Sequence, residues 1–294
     1  MIGWFTDAFS SELTRQALAG GLLAAVTTSV IGTWVVVRGM SFMGDALAHG
    51  VLPGIVLAFL WGIDVTIGAL VSAAVMVAGI DVVHRRARLP EDTGIGLLFV
   101  GMLALGVILI SRQDTYAGDL TSFLFGDILG IDDADIALQA AVAAVTIVGV
   151  VVLHRPFLAL SFNREKAAAL GMRPDLAHVA MLVLIALAVV SSFRVAGTLL
   201  VFGLLVAPPA TATLLVHRLP TAMVTGVAFG CLAVVLGLAI SYHADAAASA
   251  TVAGVAVGQF FLALATREVV TALRRPTPHP TPPKSGAATG RMAE

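Results

Sequence analysis

The sequence predicts an all-α, polytopic transmembrane bundle of about eight or nine spans, and three observations carry that prediction. Of the 294 residues, 59% are hydrophobic and 12% charged, at a mean hydropathy of +0.98, which a soluble surface of this size does not tolerate. The apolar residues form continuous runs of about twenty, the length that crosses about 30 Å of hydrocarbon as helix, rather than the ten-residue alternation of a barrel. The basic residues fall in short clusters between those runs, mostly at alternate ends.

Residues 1–14, with Trp4, Phe5 and Phe9 among Asp7, Ser10, Ser11 and Glu12, read as an interfacial segment ahead of the first span. With no basic n-region before it, the first apolar run is expected to be retained rather than cleaved as a signal peptide. Apolar runs follow at about 16–37, 43–61, 64–83, 94–111, 134–153, 177–194, 197–216, 221–242 and 249–268. Together they make a transmembrane domain over 15–270, followed by a Pro-rich, polar tail over 271–294 that is expected to be disordered.

If each run crosses once, all 17 Lys and Arg except Arg15, Arg112 and Arg194 lie on one side. The positive-inside rule makes that side cytoplasmic, which places the C-terminus inside and the N-terminus outside. The opposite side is acidic, with Asp64, Asp114, Asp119, Asp127, Asp132, Asp133, Asp135 and Asp245. The count is odd; the alternatives are that one run is re-entrant or that the N-terminal segment itself crosses.

Pro53, Pro208 and Pro209 fall inside apolar runs. Each deletes a backbone hydrogen bond, so kinks or breaks are expected in 43–61 and 197–216, a feature that also lines transport paths. Small residues recur at helix-packing spacing, as in Gly20, Ala24 and Thr28 or Gly226 and Gly230. Two shorter segments carry a capping residue, a helical middle and a terminating glycine. One is Asn163 to Gly171 on the basic side, with Pro174 beyond it; the other is Asp119 to Gly126 on the acidic side.

The chemistry concentrates in Arg38-Gly-Met-Ser-Phe-Met-Gly-Asp-Ala-Leu-Ala-His-Gly-Val-Leu-Pro-Gly54. Asp45 and His49 stand at i, i+4, one turn apart on one helix face, close enough to share a proton or a divalent cation. Charge inside a span is costly and usually faces a polar path; the alternative is a carboxylate at the span's wet end and a histidine bonded to a neighbouring helix. His243 and Asp245, in the outer turn Ser241-Tyr-His-Ala-Asp245, form a weaker candidate metal contact. Nitrogen and oxygen ligands suit Zn²⁺ or Mn²⁺ without separating them. Cys231 is single and lies in an apolar run, so there is neither a disulfide framework nor a cysteine metal site.

No phosphate-binding loop, zinc-protease or serine-hydrolase motif is present, so ATP hydrolysis would have to come from a separate subunit and the chain is not expected to be an enzyme. A net charge of −1 and scattered basic residues give no nucleic-acid signal.

Several long motifs in sequence order resemble the membrane permease subunits of metal-ion ABC importers, the ABC-3 family. They are residues 38–54, Glu91 to Gly96, Leu120 to Leu129, Glu165 to Gly171, and Val195 to Ala212. The resemblance runs from about residue 16 to about 268. It implies import of zinc, manganese or iron across the bacterial plasma membrane by two permease chains around a central path. Its implied partners are a cytoplasmic ATP-binding subunit and an extracytoplasmic metal-binding protein. Asp45 and His49 would contact the metal in transit, and Asn163, Arg164, Glu165, Lys166, Leu170 and Gly171 would form the helix that couples to the ATPase. No permanently bound cofactor is expected, only the transported Zn²⁺ or Mn²⁺, with zinc slightly ahead. Two departures stand out: Asp245 is followed by Ala-Ala-Ala-Ser249 where the family often has Pro-Ser-Gly, and Pro208-Pro209 is double where one proline is usual. A proton-coupled secondary metal carrier, using Asp45 and His49 as a relay, is the main alternative; an intramembrane metallohydrolase lacks a third ligand and a general base.

Overall fold

The computed structural model describes residues 9, 11–40, 42–87, 89–111, 131–162, 168 and 171–274. The described residues form ten helices: α1 Glu12–Val37, α2 Met43–Gly50, α3 Leu52–Leu60, α4 Val65–Ala87, α5 Glu91–Ile110, α6 Asp133–Val152, α7 His154–Phe162, α8 Pro174–Leu215, α9 Leu219–Ala244 and α10 Ala248–Arg274. Among them, eight stretches are long and apolar enough to cross a membrane, and Leu199–Leu215 is a shorter apolar helix. The nine expected runs are all helical.

The element ends follow local chemistry. Ser11 caps α1, its Oγ accepting from the Thr14 amide at 3.1 Å, so helix begins at Glu12, inside the expected interfacial segment. Asp132 caps α6 in the same way, accepting from the Asp135 amide at 2.7 Å. At the other end of the chain, α10 runs on to Arg274.

Two breaks shape the bundle. The span at 43–61 is interrupted at Val51, between α2 and α3, with Pro53 in the first turn of α3 where its missing N–H costs nothing. The kink expected at Pro208 and Pro209 lies elsewhere: the backbone keeps helical dihedrals through both prolines, and α8 breaks at Gly197 (φ 69°, ψ 167°). Proline at 209 frees the Leu205 carbonyl, and that carbonyl packs against Gly32 of α1, where a methyl group would overlap it. A neighbouring helix at contact distance thus stands in for the lost hydrogen bond.

α1, the stretch 43–60 and the first half of α8 are the inner helices, each 67% buried across its apolar window, whereas α5 is 17% and α6 and α10 28% buried. Helices in lipid gain little from apolar burial against one another, so small residues that admit close approach set the packing. Gly230 of α9 lies against Ser29 of α1, and Gly226 against the Pro208-Pro209 stretch.

Cross-helix contacts agree with the expected alternation of sides. Gln16 near the start of α1 donates to Asp133 at the start of α6 at 3.4 Å. At the other ends, Trp34 of α1 stacks edge-on with His154 and Phe157 of α7, both at 5.5 Å between centroids. α7 lies between the apolar runs at 134–153 and 177–194. Its Arg155 and Pro156 look like connector residues, but Phe157 and Leu160 are buried and Pro156 sits in the first turn, where proline is tolerated.

The coupling segment 163–170 lies outside the described residues except for Ala168, which is helical. Gly171 has φ 74°, and its amide donates to the Ala168 carbonyl at 3.0 Å. Residues 112–130, which include the segment Asp119 to Gly126, and residues 275–294 also lie outside the described residues.

Candidate functional site

Asp45 and His49 lie on α2, an eight-residue helix with its carboxylate in the first turn and its imidazole in the last, the placement that a helix dipole favours for each charge. His49 Nε2 is 3.5 Å from Asp45 Oδ1, and the two side chains are 26% and 33% exposed. The other six residues of α2 are buried. The pair is therefore the accessible polar edge of a helix otherwise enclosed by protein.

What encloses it could not be read from the motif. On one side Gly44 packs on α8, where a methyl group would come within 2.5 Å of the Leu205 side chain. On another, α4 lies against the α2–α3 junction: Ser72 Oγ donates to the Gly50 carbonyl at 2.8 Å, and a methyl group on Gly50 would overlap the Met76 sulfur. Gly54 of α3 and Gly68 of α4 meet backbone to backbone, so that a methyl group on either would overlap the other's carbonyl. From α5, Phe99 stacks edge-on with His49 at 5.8 Å and with Phe42 at 5.3 Å. Ser72, Met76 and Phe99 thus position the pair from helices distant in sequence.

The arrangement supplies one oxygen and one nitrogen ligand at a shared edge. Among the described residues, no group of three or more His, Cys, Asp or Glu is placed to hold a metal ion. Among the described residues, a transition-metal ion at Asp45 and His49 would find these two side-chain ligands, and water or further groups would complete its shell.

The second candidate pair is arranged differently. His243, in the last turn of α9, is exposed and bonded through Nδ1 to the Ala239 carbonyl at 2.9 Å. Asp245 is the C-cap of the same helix in the left-handed region (φ 50°, ψ 41°). Pro53 lies just beyond the α2–α3 break, two turns from Asp45 along the same interrupted span, whereas Pro208 and Pro209 face α1 and α9.

A sequence profile described as the ABC 3 transport family matches residues 10–267. A protein named probable iron transport system membrane protein, from Haemophilus influenzae, is 32% identical over 269 residues, 92% of this chain and 99% of its own length. The manganese transport system membrane protein MntC of Halalkalibacterium halodurans is 32% identical over 88% of this chain and 89% of its own length. The manganese import system permease protein ScaB of Streptococcus parasanguinis is 35% identical over 84% of this chain and 88% of its own. Among solved structures, PsaBC from Streptococcus pneumoniae in complex with Fab superposes with a TM-score of 0.80 at 32% identity, covering 94% of this chain and all of that one.

Proposed function

The chain belongs to the ABC 3 transport family, and from that premise we propose that it is the membrane-spanning permease of an ATP-driven importer whose cargo is Mn²⁺. The observation that carries this reading is the Asp45–His49 edge, 3.5 Å apart on the partly exposed edge of a span divided at Val51. The names of the relatives favour manganese or iron over the zinc that sequence placed first, and an oxygen-plus-nitrogen ligand set accommodates all three.

Two ligands per chain suit a second copy facing the first across a central path, so that two carboxylates and two imidazoles surround the ion. An extracytoplasmic metal-binding protein delivers the ion at the acidic face, and an ATP-binding subunit docks on the basic face at 163–171. Nucleotide-driven closure then shifts the spans between outward- and inward-open arrangements, each with its own affinity for the ion. The basic side is cytoplasmic, and the membrane is the bacterial inner membrane.

The test is reconstitution with the ATP-binding partner in proteoliposomes, following radioactive Mn²⁺ in the lumen with and without ATP, against Zn²⁺ and Fe²⁺ as competitors. ATP-dependent accumulation of Mn²⁺ is the expected result. Accumulation driven by a pH gradient without nucleotide would favour the secondary carrier and overturn the proposal.

A further inference from the structure

α4 touches two places that the transport cycle must connect. Its middle face, Ser72 and Met76 with Gly68 a turn earlier, lies on the backbone of the α2–α3 junction, and the buried Ser72 hydroxyl holds the carbonyl of the residue next to His49. Its last turns lie on the start of α8. There Arg85 Nε is 2.8 Å from Asp81 of its own helix, and Arg85 Nη1 is 3.7 Å from Asp175 of α8. Beside this bridge, His84 packs on His178 of α8 with ring centroids 5.0 Å apart, and His178 is 1% exposed.

From that joint, where Asp81 and Val179 border it, a mostly apolar groove of about 470 Å³ runs between α4 and α8, lined further along by Ala73, Ala74 and Val77 on one helix and Val183, Ala186 and Leu187 on the other. The charged and imidazole contacts therefore hold the two helices at one end while their middles stand apart. α8 starts at Pro174, three residues after the left-handed Gly171 that closes the segment read as the ATPase contact. From Ser72 to His84 is twelve residues, roughly 18 Å of continuous helix. A rigid element of that length, fixed at both ends, moves as one body.

We infer that α4 is the transmission rod of this permease. Arg85 and His84 receive the displacement of the α8 start through Asp175 and His178, and Ser72 delivers it to the Gly50 carbonyl, which moves the Asp45–His49 edge. Arg85, His178 and Ser72 are positioning residues, since none touches the ion.

This inference rests on the transport reading, and its test separates the two. Arg85→Ala, Arg85→Lys, Ser72→Ala and the double variant Arg85→Ala with Ser72→Ala are assembled with the ATP-binding partner in proteoliposomes. Three quantities are read for each: Mn²⁺ taken up per ATP hydrolysed, nucleotide hydrolysis without metal, and Mn²⁺ affinity of the purified chain from the spectrum of bound Mn²⁺. Each alanine variant is expected to lose about tenfold in uptake per ATP, at the lower end of site-to-site coupling, and in Arg85→Ala, which lies away from the residues that clamp the pair, affinity is held within about twofold. Arg85→Lys recovers most of the loss. Because the two contacts act in series, the double variant is no worse than the poorer single one. Wild-type uptake per ATP in both alanine variants, losses that multiply in the double variant, or a parallel fall in Mn²⁺ affinity in Arg85→Ala would overturn the rod. Failure of the wild-type complex to accumulate Mn²⁺ would instead sink the transport reading itself.

Discussion

Two stretches of this chain each hold a histidine and an aspartate, and their surroundings differ in kind. On α2, Asp45 and His49 are the polar edge of a helix whose remaining residues are buried, clamped by Leu205, Ser72, Met76 and Phe99 from three other helices. At the end of α9, His243 and Asp245 project from an exposed turn, one imidazole nitrogen already engaged with its own helix and the aspartate serving as a cap. The same residue types are preorganised in the first place and conformationally local in the second. A metal site needs ligands held from outside their own helix, and the first pair has such support.

The largest effect should follow from removing that edge. Asp45→Ala or His49→Ala is expected to lower Mn²⁺ uptake in proteoliposomes by more than about 100-fold, beyond what losing a supporting group costs a metal site. Membrane insertion should be unchanged, because a span that loses a polar group partitions more readily. His243→Ala, measured in parallel, should transport as the wild type does. Equal loss in the two variants would erase the difference between the regions and make the outer turn a working station for the ion.

The clamp can be tested without touching a ligand. At Gly54 and Gly68 the helices meet carbonyl to Cα, and neither backbone can yield to an added methyl group as a flexible side chain would. Gly54→Ala and Gly68→Ala should each destabilise the chain by about 1–3 kcal/mol, seen as a lower melting temperature in detergent with weakened Mn²⁺ binding. Gly50→Ala should cost less, since the obstacle there is the end of the Met76 side chain. If all three bind Mn²⁺ as the wild type does, the close approach of α4 does not hold the site.

The i, i+4 spacing of Asp45 and His49 was legible because it is a property of one helix, and the spans were legible because hydrocarbon thickness imposes their length. What supports the pair was not. Ser72 and Met76 read as ordinary residues of an apolar run, and their role comes from a helix crossing that no local pattern encodes. The prolines misled for a related reason. Pro208 and Pro209 lose backbone bonds as expected, but Gly32 brings α1 against the freed Leu205 carbonyl, and the chain bends at Gly197, where a positive φ is free of steric cost. Tertiary contact decided both outcomes.

Two left-handed residues outside the clamp extend the comparison. Gly171 has φ 74° just ahead of α8, and a β-branched residue there should cost about 1–3 kcal/mol of local strain. Gly171→Val is expected to leave Mn²⁺ binding intact while lowering uptake per ATP hydrolysed, because the strain falls on the connection into α8 rather than on α2. Normal coupling would show that the turn at 171 is a plain connector.

Asp245 should give the smallest effect. It sits at φ 50°, ψ 41° with its amide donating to the Ser241 carbonyl, while Ser241 Oγ donates to the Ala246 carbonyl at 2.6 Å. Those bonds come from the backbone and from Ser241, so they survive when the aspartate side chain is removed. Aspartate tolerates the left-handed region better than most residues, yet still less well than glycine. Asp245→Gly therefore relieves strain in the folded state while loosening the unfolded chain, and the two effects oppose each other. The net change should be within about 1 kcal/mol, read as a melting temperature in detergent close to the wild type, with unchanged Mn²⁺ uptake. A variant that melts normally yet loses uptake would mean that the Asp245 carboxylate acts on the ion, and that a ligand on an exposed turn can serve this transporter without the clamp that Asp45 and His49 have.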